Sequence, residues 1–420
     1  MKGVAGYSVE VLEGGATLRD VLEERALVGT RTFTGHAGPD NNMSALQVEK
    51  SAFMVADLGA VMRQHARWQS AVPRLQPYFP LKCNRSPAVL EVLVSLGLGF
   101  VCASKAEVKL ALEHGASPDH IMLAGVCKQL ALIKSAARNH VQLLVCENQA
   151  ELSKISRVHP HAKLLLQLTT DAHAAETSVA FGASLKSCRH LLEAAKELGV
   201  QVVGVAFHVP TTCQDQQEAY RHALLDARCV FDMGEELGFH MNILDIGGAD
   251  FQLQQVESDV SPLLDAYFPA QSGVHVLAQP ASFYVASAFS LAVNVIAKEA
   301  APGEQKEFLY HMSEGVYGPF AVKLLGNAIS APSVHKHKLC GEEALFPSSL
   351  WGPSLDQLDQ VVEHCLLPEL SVSDWLLFPD MGTCGLAPPH VYYAVTAADW
   401  YHMQEAGVLL ERATETLTVV

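Results

Sequence analysis

From about residue 52 to residue 284 the chain alternates short apolar runs with amphipathic stretches, and this rhythm limits its fold more than any other feature. The apolar runs are Ala52–Ala56, Leu98–Cys102, Ile121–Ala124, Gln142–Cys146, Lys163–Leu168, Val202–His208, Asn242–Ile246 and Val274–Ala278. Helix-like segments lie between them: Ser104–His114, Cys127–Asn139, Leu185–Leu198 and Gln216–Leu237. Strands separated by helices must cross over, so they lie parallel in one sheet. Eight such units predict a closed (β/α)8 barrel of α/β class rather than an open sheet.

Beyond residue 284 the rhythm changes. Phe308–Met312, Val322–Leu325, Trp375–Phe378 and Val391–Val395 read as strands joined by turns, with Pro- and Gly-rich connections at Ala301–Gly303 and Ala387–Pro389. The expected division is therefore a barrel over 52–284 and a β domain over 285–420, with residues 1–51 adding strands to the latter. Forty-five acidic against 29 basic side chains give a net charge of -16, which argues against nucleic acid or an anionic membrane as partner. No basic segment leads into an apolar core at the start, and no uncharged run is long enough to span a membrane. Ten scattered cysteines, with no C-x-x-C pair, suit a reducing cytoplasm rather than a disulfide framework or a zinc site.

Four constellations can carry chemistry, and each has a plainer reading. Lys82, in Tyr78–Asn84, ends an apolar strand where a barrel collects catalytic groups, and a desolvated lysine there can form a Schiff base. The same heptapeptide fits an ordinary lysine reaching solvent. Gly247 and Gly248 follow an apolar strand, where backbone N–H groups can approach a phosphate; a simple strand-to-helix turn looks the same. His208 and Thr211 lie at another strand end, suited to a cofactor ring and a phosphate, or to a satisfied half-buried histidine. Asp356 sits in a turn-rich loop and is either a site carboxylate or a helix N-cap.

In this order, LKCN, GFVCASK, CKQLALIKSAA, AFGASLKSCRHLLE, FHV, DARCVFDMG, LDIGG, FYVASAF, AVNVIAK, EGVYG, SSLWGP and DWLLFPDMG resemble the eukaryotic ornithine decarboxylase and antizyme inhibitor family, from about residue 52 to residue 407. The resemblance implies an alanine-racemase-like barrel followed by a β domain, with pyridoxal 5'-phosphate as cofactor. It matches Lys82 to the Schiff-base lysine, His208 to the residue stacked on the ring, and Thr211, Gly247 and Gly248 to phosphate ligands. It matches Asp356 to a carboxylate reaching across a dimer to the substrate's distal amine.

The departures from that pattern are heavy. Gln279 stands where the family has a glutamate on the ring nitrogen, and an amide cannot hold that nitrogen protonated as a carboxylate does. Alanine racemases, on the same fold, work without a carboxylate there. Ser282 replaces the phosphate-clamping arginine, a loss of about 2–5 kcal/mol that implies a weakened cofactor site. Ala249 replaces a third phosphate-loop glycine, Val101 an acidic residue near the lysine, and Gln167 an arginine. Cys384 falls near a phosphate-binding tyrosine. Leu355 takes the place of the cysteine thought to deliver the final proton, and Gly326 that of a second distal-amine carboxylate. Ala180 replaces a dimer-pairing lysine whose partner carboxylate is kept as Asp359.

Two functions follow as expectations. One is a decarboxylase of an apolar, leucine-like amino acid rather than ornithine, because a site stripped of its ammonium partners no longer favours a distal amine. That form would be a homodimer. The other is a non-catalytic, monomeric antizyme inhibitor-like protein of polyamine control. In that reading antizyme binds the helix Cys127–Asn139 through Lys128, Lys134 and Arg138; Ser349–Asp359, Cys365–Leu370 and Asp399–Gly407 also resemble antizyme inhibitors. No metal is expected in either form.

Overall fold

The computed structural model describes residues 7–28, 51–170, 182–210, 213, 215–248, 252–300, 306–326, 328–335, 344–383, 390–408 and 410. They belong to two compact units, residues 62–284 and residues 1–61 with 285–420. The strands β1 (Val9–Leu12) and β2 (Phe53–Asp57) lie in the second of these.

The unit 62–284 is a closed parallel barrel. Its strands are β3 (Leu75–Pro80), β4 (Gly99–Cys102), β5 (Ile121–Leu123), β6 (Leu143–Cys146), β7 (Lys163–Gln167), β8 (Gln201–Ala206), β9 (Ile243–Asp245) and β10 (His275–Ala278), with β10 pairing β3 to close the ring. Tyr78, Val101, Met122, Leu143, Val145, Leu165, Ala206 and Leu277 pack together as a buried cluster drawn from these strands. The crossover helices start where the sequence offers caps. Ser104, Asn148, Ser184 and Asp215 each accept a backbone N–H of the first turn, and each such cap stabilises its helix by about 1 kcal/mol.

The other unit adds the strands β11 (Phe289–Ala300), β12 (Phe308–Met312), β13 (Ser333–His335), β14 (Leu345–Trp351), β15 (Gln360–Pro368), β16 (Trp375–Phe378) and β17 (His390–Thr396). With β1 and β2 they form a nine-stranded sheet whose main path is β1-β17-β2-β11-β12-β14-β15. A (β/α)8 barrel with a separate β domain is thus the architecture the rhythm predicts.

Two expectations about single elements are corrected. The run at 52–56 does not open the barrel: β2 lies between β11, antiparallel, and β17, parallel. All five of its residues are buried, and a strand buried on both faces reads the same in a barrel or mid-sheet. The barrel's remaining strand is β3, whose prolines at 77 and 80 break its apolar pattern. The segment 322–325, expected as a strand, is part of a 3₁₀ turn, Ala321–Leu325, stopped by Gly326 at φ 86°.

Candidate active site

Four consecutive strands of the ring, in the order β8-β9-β10-β3, bring the expected cofactor-side residues to one arc of the barrel's C-terminal rim. His208 follows β8, Gly247 and Gly248 follow β9, Gln279 follows β10 and Lys82 follows β3. Lys82 is exposed, on a turn in which Cys83 N–H donates to Pro80 O at 3.0 Å.

The glycine pair is required by its backbone. Gly247 and Gly248 have φ of 62° and 102°, a region costly for residues with a Cβ. A Cβ on Gly247 would also lie 2.6 Å from Phe207 O and 2.9 Å from His208 Nδ1. That close approach lets Gly248 N–H donate to His208 Nδ1 at 3.3 Å. The bond fixes Nδ1 as an acceptor and ties the half-buried imidazole to the glycine loop.

Sequence reasoning missed Asp245, the last residue of β9, which is 1% exposed. Its Oδ1 accepts Gly247 N–H at 3.0 Å and its Oδ2 accepts Gln279 Nε2 at 2.7 Å. Burial pushes its carboxyl up to about 6, while the Gly247 and Gln279 bonds pull the other way. Beside it, the Tyr78 phenol is pushed up to about 12 by burial and then by the Asp245 charge. The signal that could have found Asp245 is its place in Ile243–Ile246, an acidic residue inside an apolar barrel run.

A pH profile follows. A carboxyl raised from 3.8 to about 6 in the folded state gives stability that is complete below the lower value and lost as pH rises through the upper. The difference corresponds to about 3 kcal/mol. Asp245→Asn abolishes it, so variant stability relative to wild type should rise by about that much from pH 4 to pH 7 in denaturant titrations. A difference that stays level over that range contradicts the assignment.

The residues that depart from the resembled family are placed as follows. Val101 is buried in the barrel cluster. Gln167 is half-buried, its Nε2 donating to Leu168 O at 3.4 Å. Ser282 is half-buried in the helix Ala281–Val285. Thr211, Ala249, Ala180 and Cys384 lie outside the described residues.

Asp356 is not on the barrel rim; it belongs to the β unit. It caps the turn Gln357–Asp359, its Oδ1 accepting Leu358 N–H at 3.0 Å, and its Oδ2 accepts the Tyr317 hydroxyl. The hydroxyl bond and then the amide bond hold its carboxyl below the usual range. The N-cap reading of Asp356 is therefore realised. Asp359, which the resemblance matches to the carboxylate of a dimer pair whose lysine is lost at position 180, is 1% exposed and used internally. Its Oδ1 takes Val316 N–H at 2.7 Å and its Oδ2 takes Ser354 N–H at 3.0 Å. A Cβ on Gly315 or Gly352 would lie 2.1 or 2.3 Å from it. Asp359→Ala strands both amides and should cost about 2–3 kcal/mol in denaturant titrations; a change inside 0.5 kcal/mol, the ordinary surface range, would dismiss the tie as incidental.

Lys128 corrects a third expectation. It is not on the surface of the helix Leu130–Arg138: its ammonium contacts Gly125 O at 2.9 Å, Val145 O, and Glu151 Oε1 at 3.3 Å, with both side chains 1% exposed. Lys134 and Arg138 remain exposed.

A barrel rim offering a lysine, a paired-glycine turn and an imidazole defines a class of phosphorylated-aldehyde sites, and sequence comparison agrees. Residues 58–286 match the family described as pyridoxal-dependent decarboxylase, pyridoxal binding domain. Antizyme inhibitor 1 of Pongo abelii is 46% identical over 96% of this chain and 92% of its own length. Ornithine decarboxylase of Rattus norvegicus is 40% identical over 95% and 89%. The Paramecium bursaria Chlorella virus arginine decarboxylase, solved with agmatine, superposes with a TM-score of 0.74 at 28% identity, covering 83% of this chain and 96% of that one. The chain belongs to the fold-type III pyridoxal-dependent decarboxylase family that includes antizyme inhibitors and ornithine decarboxylases. Among the described residues no helix is long and apolar enough to cross a membrane.

Proposed function

We propose that the chain is a pyridoxal-phosphate-dependent carboxy-lyase that converts an apolar, leucine-like amino acid to its amine and CO2, and that ornithine is not its substrate. The observation carrying this reading is the single arc of rim that presents Lys82, Gln279, the Gly247–Gly248 turn and His208. The residues fit the cofactor in kind. Lys82 supplies an exposed amine, the glycine turn brings backbone close to a phosphate, and His208 is held for ring contact by Gly248. The fit is weakened where Ser282 supplies no positive charge to the phosphate.

When bound, pyridoxal phosphate supplies the electron sink that lets a carboxylate leave as CO2. The chain's own residues bind and orient. Lys82 would anchor the cofactor, His208 would contact its ring, and Gln279, on the strand beside that of Lys82, would offer it a polar group. The apolar substrate is favoured by the residues at the positions that the resemblance assigns to the distal amine. Leu355 is 107% exposed, Gly326 brings no carboxylate, and Asp356 already holds Tyr317. In this reading the chain acts as a cytoplasmic homodimer on a small-molecule amino acid. The test is incubation of purified protein with pyridoxal phosphate and leucine, ornithine or lysine, with the amines quantified. Isoamylamine from leucine alone is the expected product; none above a cofactor-only control sinks the reading.

A second reading is favoured by the 46% identity to antizyme inhibitor 1: a non-catalytic protein that binds antizyme and so acts on polyamine synthesis. Exposed Lys134 and Arg138 support a contact there, without Lys128. Capture of purified antizyme at micromolar concentration tests it, and no capture rejects it.

A further inference from the structure

We propose that Asp245 is a positioning residue: by holding the Gln279 Nε2 amide it leaves Gln279 Oε1 outward as the hydrogen-bond acceptor offered to the ring nitrogen of pyridoxal phosphate, which thereby keeps its proton. The inference rests on the cofactor reading above and goes beyond it, since an amide alone has no means of holding a pyridine protonated.

Three observations carry it. First, the amide's orientation is settled by what faces it. Asp245 Oδ2, 2.7 Å from the Gln279 nitrogen, is a carboxylate acceptor, so the NH2 and not the carbonyl must turn inward. Gln279 Oε1 has no hydrogen bond within the described residues and is not among the sealed, unsatisfied polar atoms. It is an accessible acceptor. Second, Asp245 is a buried carboxylate with no cation bonded to it among the described residues. Its partners among the described residues are two N–H donors, Gly247 and Gln279, and the groups whose titration it perturbs are the phenols of Tyr78 and Tyr220. The neighbouring His208 meets the loop through Nδ1 as acceptor and brings no positive charge by that bond. A buried anion lacking its complement favours a cation placed nearby. Third, strand order puts Gln279 between the Gly247–Gly248 turn and Lys82. A cofactor anchored at both would lie against the strand that carries Gln279.

The chain of bonds then runs from Asp245 through the amide to the ring. An N–H donated to a carboxylate polarises the amide and makes its oxygen a better acceptor. The carboxylate that the family pattern places directly on the ring stands here one residue behind it.

The experiment loads full-length protein with pyridoxal phosphate labelled with nitrogen-15 in the ring. Borohydride trapping and the mass of the Lys82 peptide first verify the attachment. The ring nitrogen of unreduced protein at pH 8 is then read by nuclear magnetic resonance. Expected is a pyridinium resonance in wild type and a neutral-pyridine resonance in Asp245→Asn and in Gln279→Leu, each still trapping cofactor. A neutral ring in wild type, or a pyridinium that persists in the variants, overturns the proposal. A folded variant that no longer traps cofactor also counts against it, because positioning the ring nitrogen leaves Lys82 untouched. If Asp245→Asn does not fold, Asp245→Ser takes its place with the same expected neutral ring, since Gln279→Leu by itself tests only the amide. Failure of wild type to trap cofactor overturns the cofactor reading itself, and is a different result from trapped cofactor with the wrong ring state.

Discussion

Lys82→Ala should abolish borohydride-trapped cofactor and lower amine formation on the order of 10³-fold or more, the scale of losing a covalent catalyst. It should do so without disturbing the fold. Lys82 is exposed and its ammonium makes no hydrogen bond within the described residues, so its truncation falls in the ordinary surface range of about 0.5 kcal/mol. A protein that loses function at constant stability has lost chemistry, not structure. The variant also separates the two readings. Antizyme capture should be indifferent to Lys82, whereas turnover cannot be. Wild type and Lys82→Ala giving equal amine would show that the product arises elsewhere; neither giving any, with capture of antizyme intact in both, would transfer the function to partner binding.

The barrel was legible because βαβ rhythm acts locally. Ser104, Asn148, Ser184 and Asp215 each cap a helix where they stand, a further local signal that the rhythm did not need. What was not legible depends on pairing between distant segments. The run Phe53–Asp57 carries no mark of which sheet it joins, since burial on both faces erases the alternation that would tell. In β3, Pro77 and Pro80 conceal a strand whose closing partner is some two hundred residues away in β10. At the candidate site, Lys82, His208, Gly247 and Gly248 were singled out by motif and Gln279 by resemblance, and the strands they follow are consecutive in the ring. Asp245 was not singled out, because its meaning comes from Gln279, one strand over. Asp356 and Asp359 are only three residues apart, yet one is an exposed cap and the other a buried tie. That difference is set by the backbone amides of Val316 and Ser354 folding onto Asp359.

Lys128 and Glu151 make the sharpest stability test. Glu151 lies in the first turn of the helix Gln149–Val158, where the N-terminal dipole favours a carboxylate and Asn148 caps its own N–H. Its Oε1 accepts both the Lys128 amide at 2.7 Å and the ammonium at 3.3 Å. The pair also seats Lys154, whose ammonium donates to Lys128 O at 2.8 Å. Glu151→Ala leaves an ammonium buried against Gly125 and Val145 carbonyls without its ion-pair partner, with the Glu147 carboxylate nearby but not bonded to it, and the expected loss is about 3 kcal/mol in denaturant titrations. The pair itself need not be stabilising, since desolvating two charges offsets most of their attraction. The double variant Lys128→Met/Glu151→Leu should therefore recover most of the loss, and the recovery is the diagnostic part. A buried charge left unpaired predicts a severe single and a mild double. If Glu151→Ala costs under about 1 kcal/mol, the lysine has escaped to solvent, and Lys128 rejoins Lys134 and Arg138 on the face available to antizyme. The same titration that measures the ion pair thus decides whether the proposed antizyme-binding face has two cations or three.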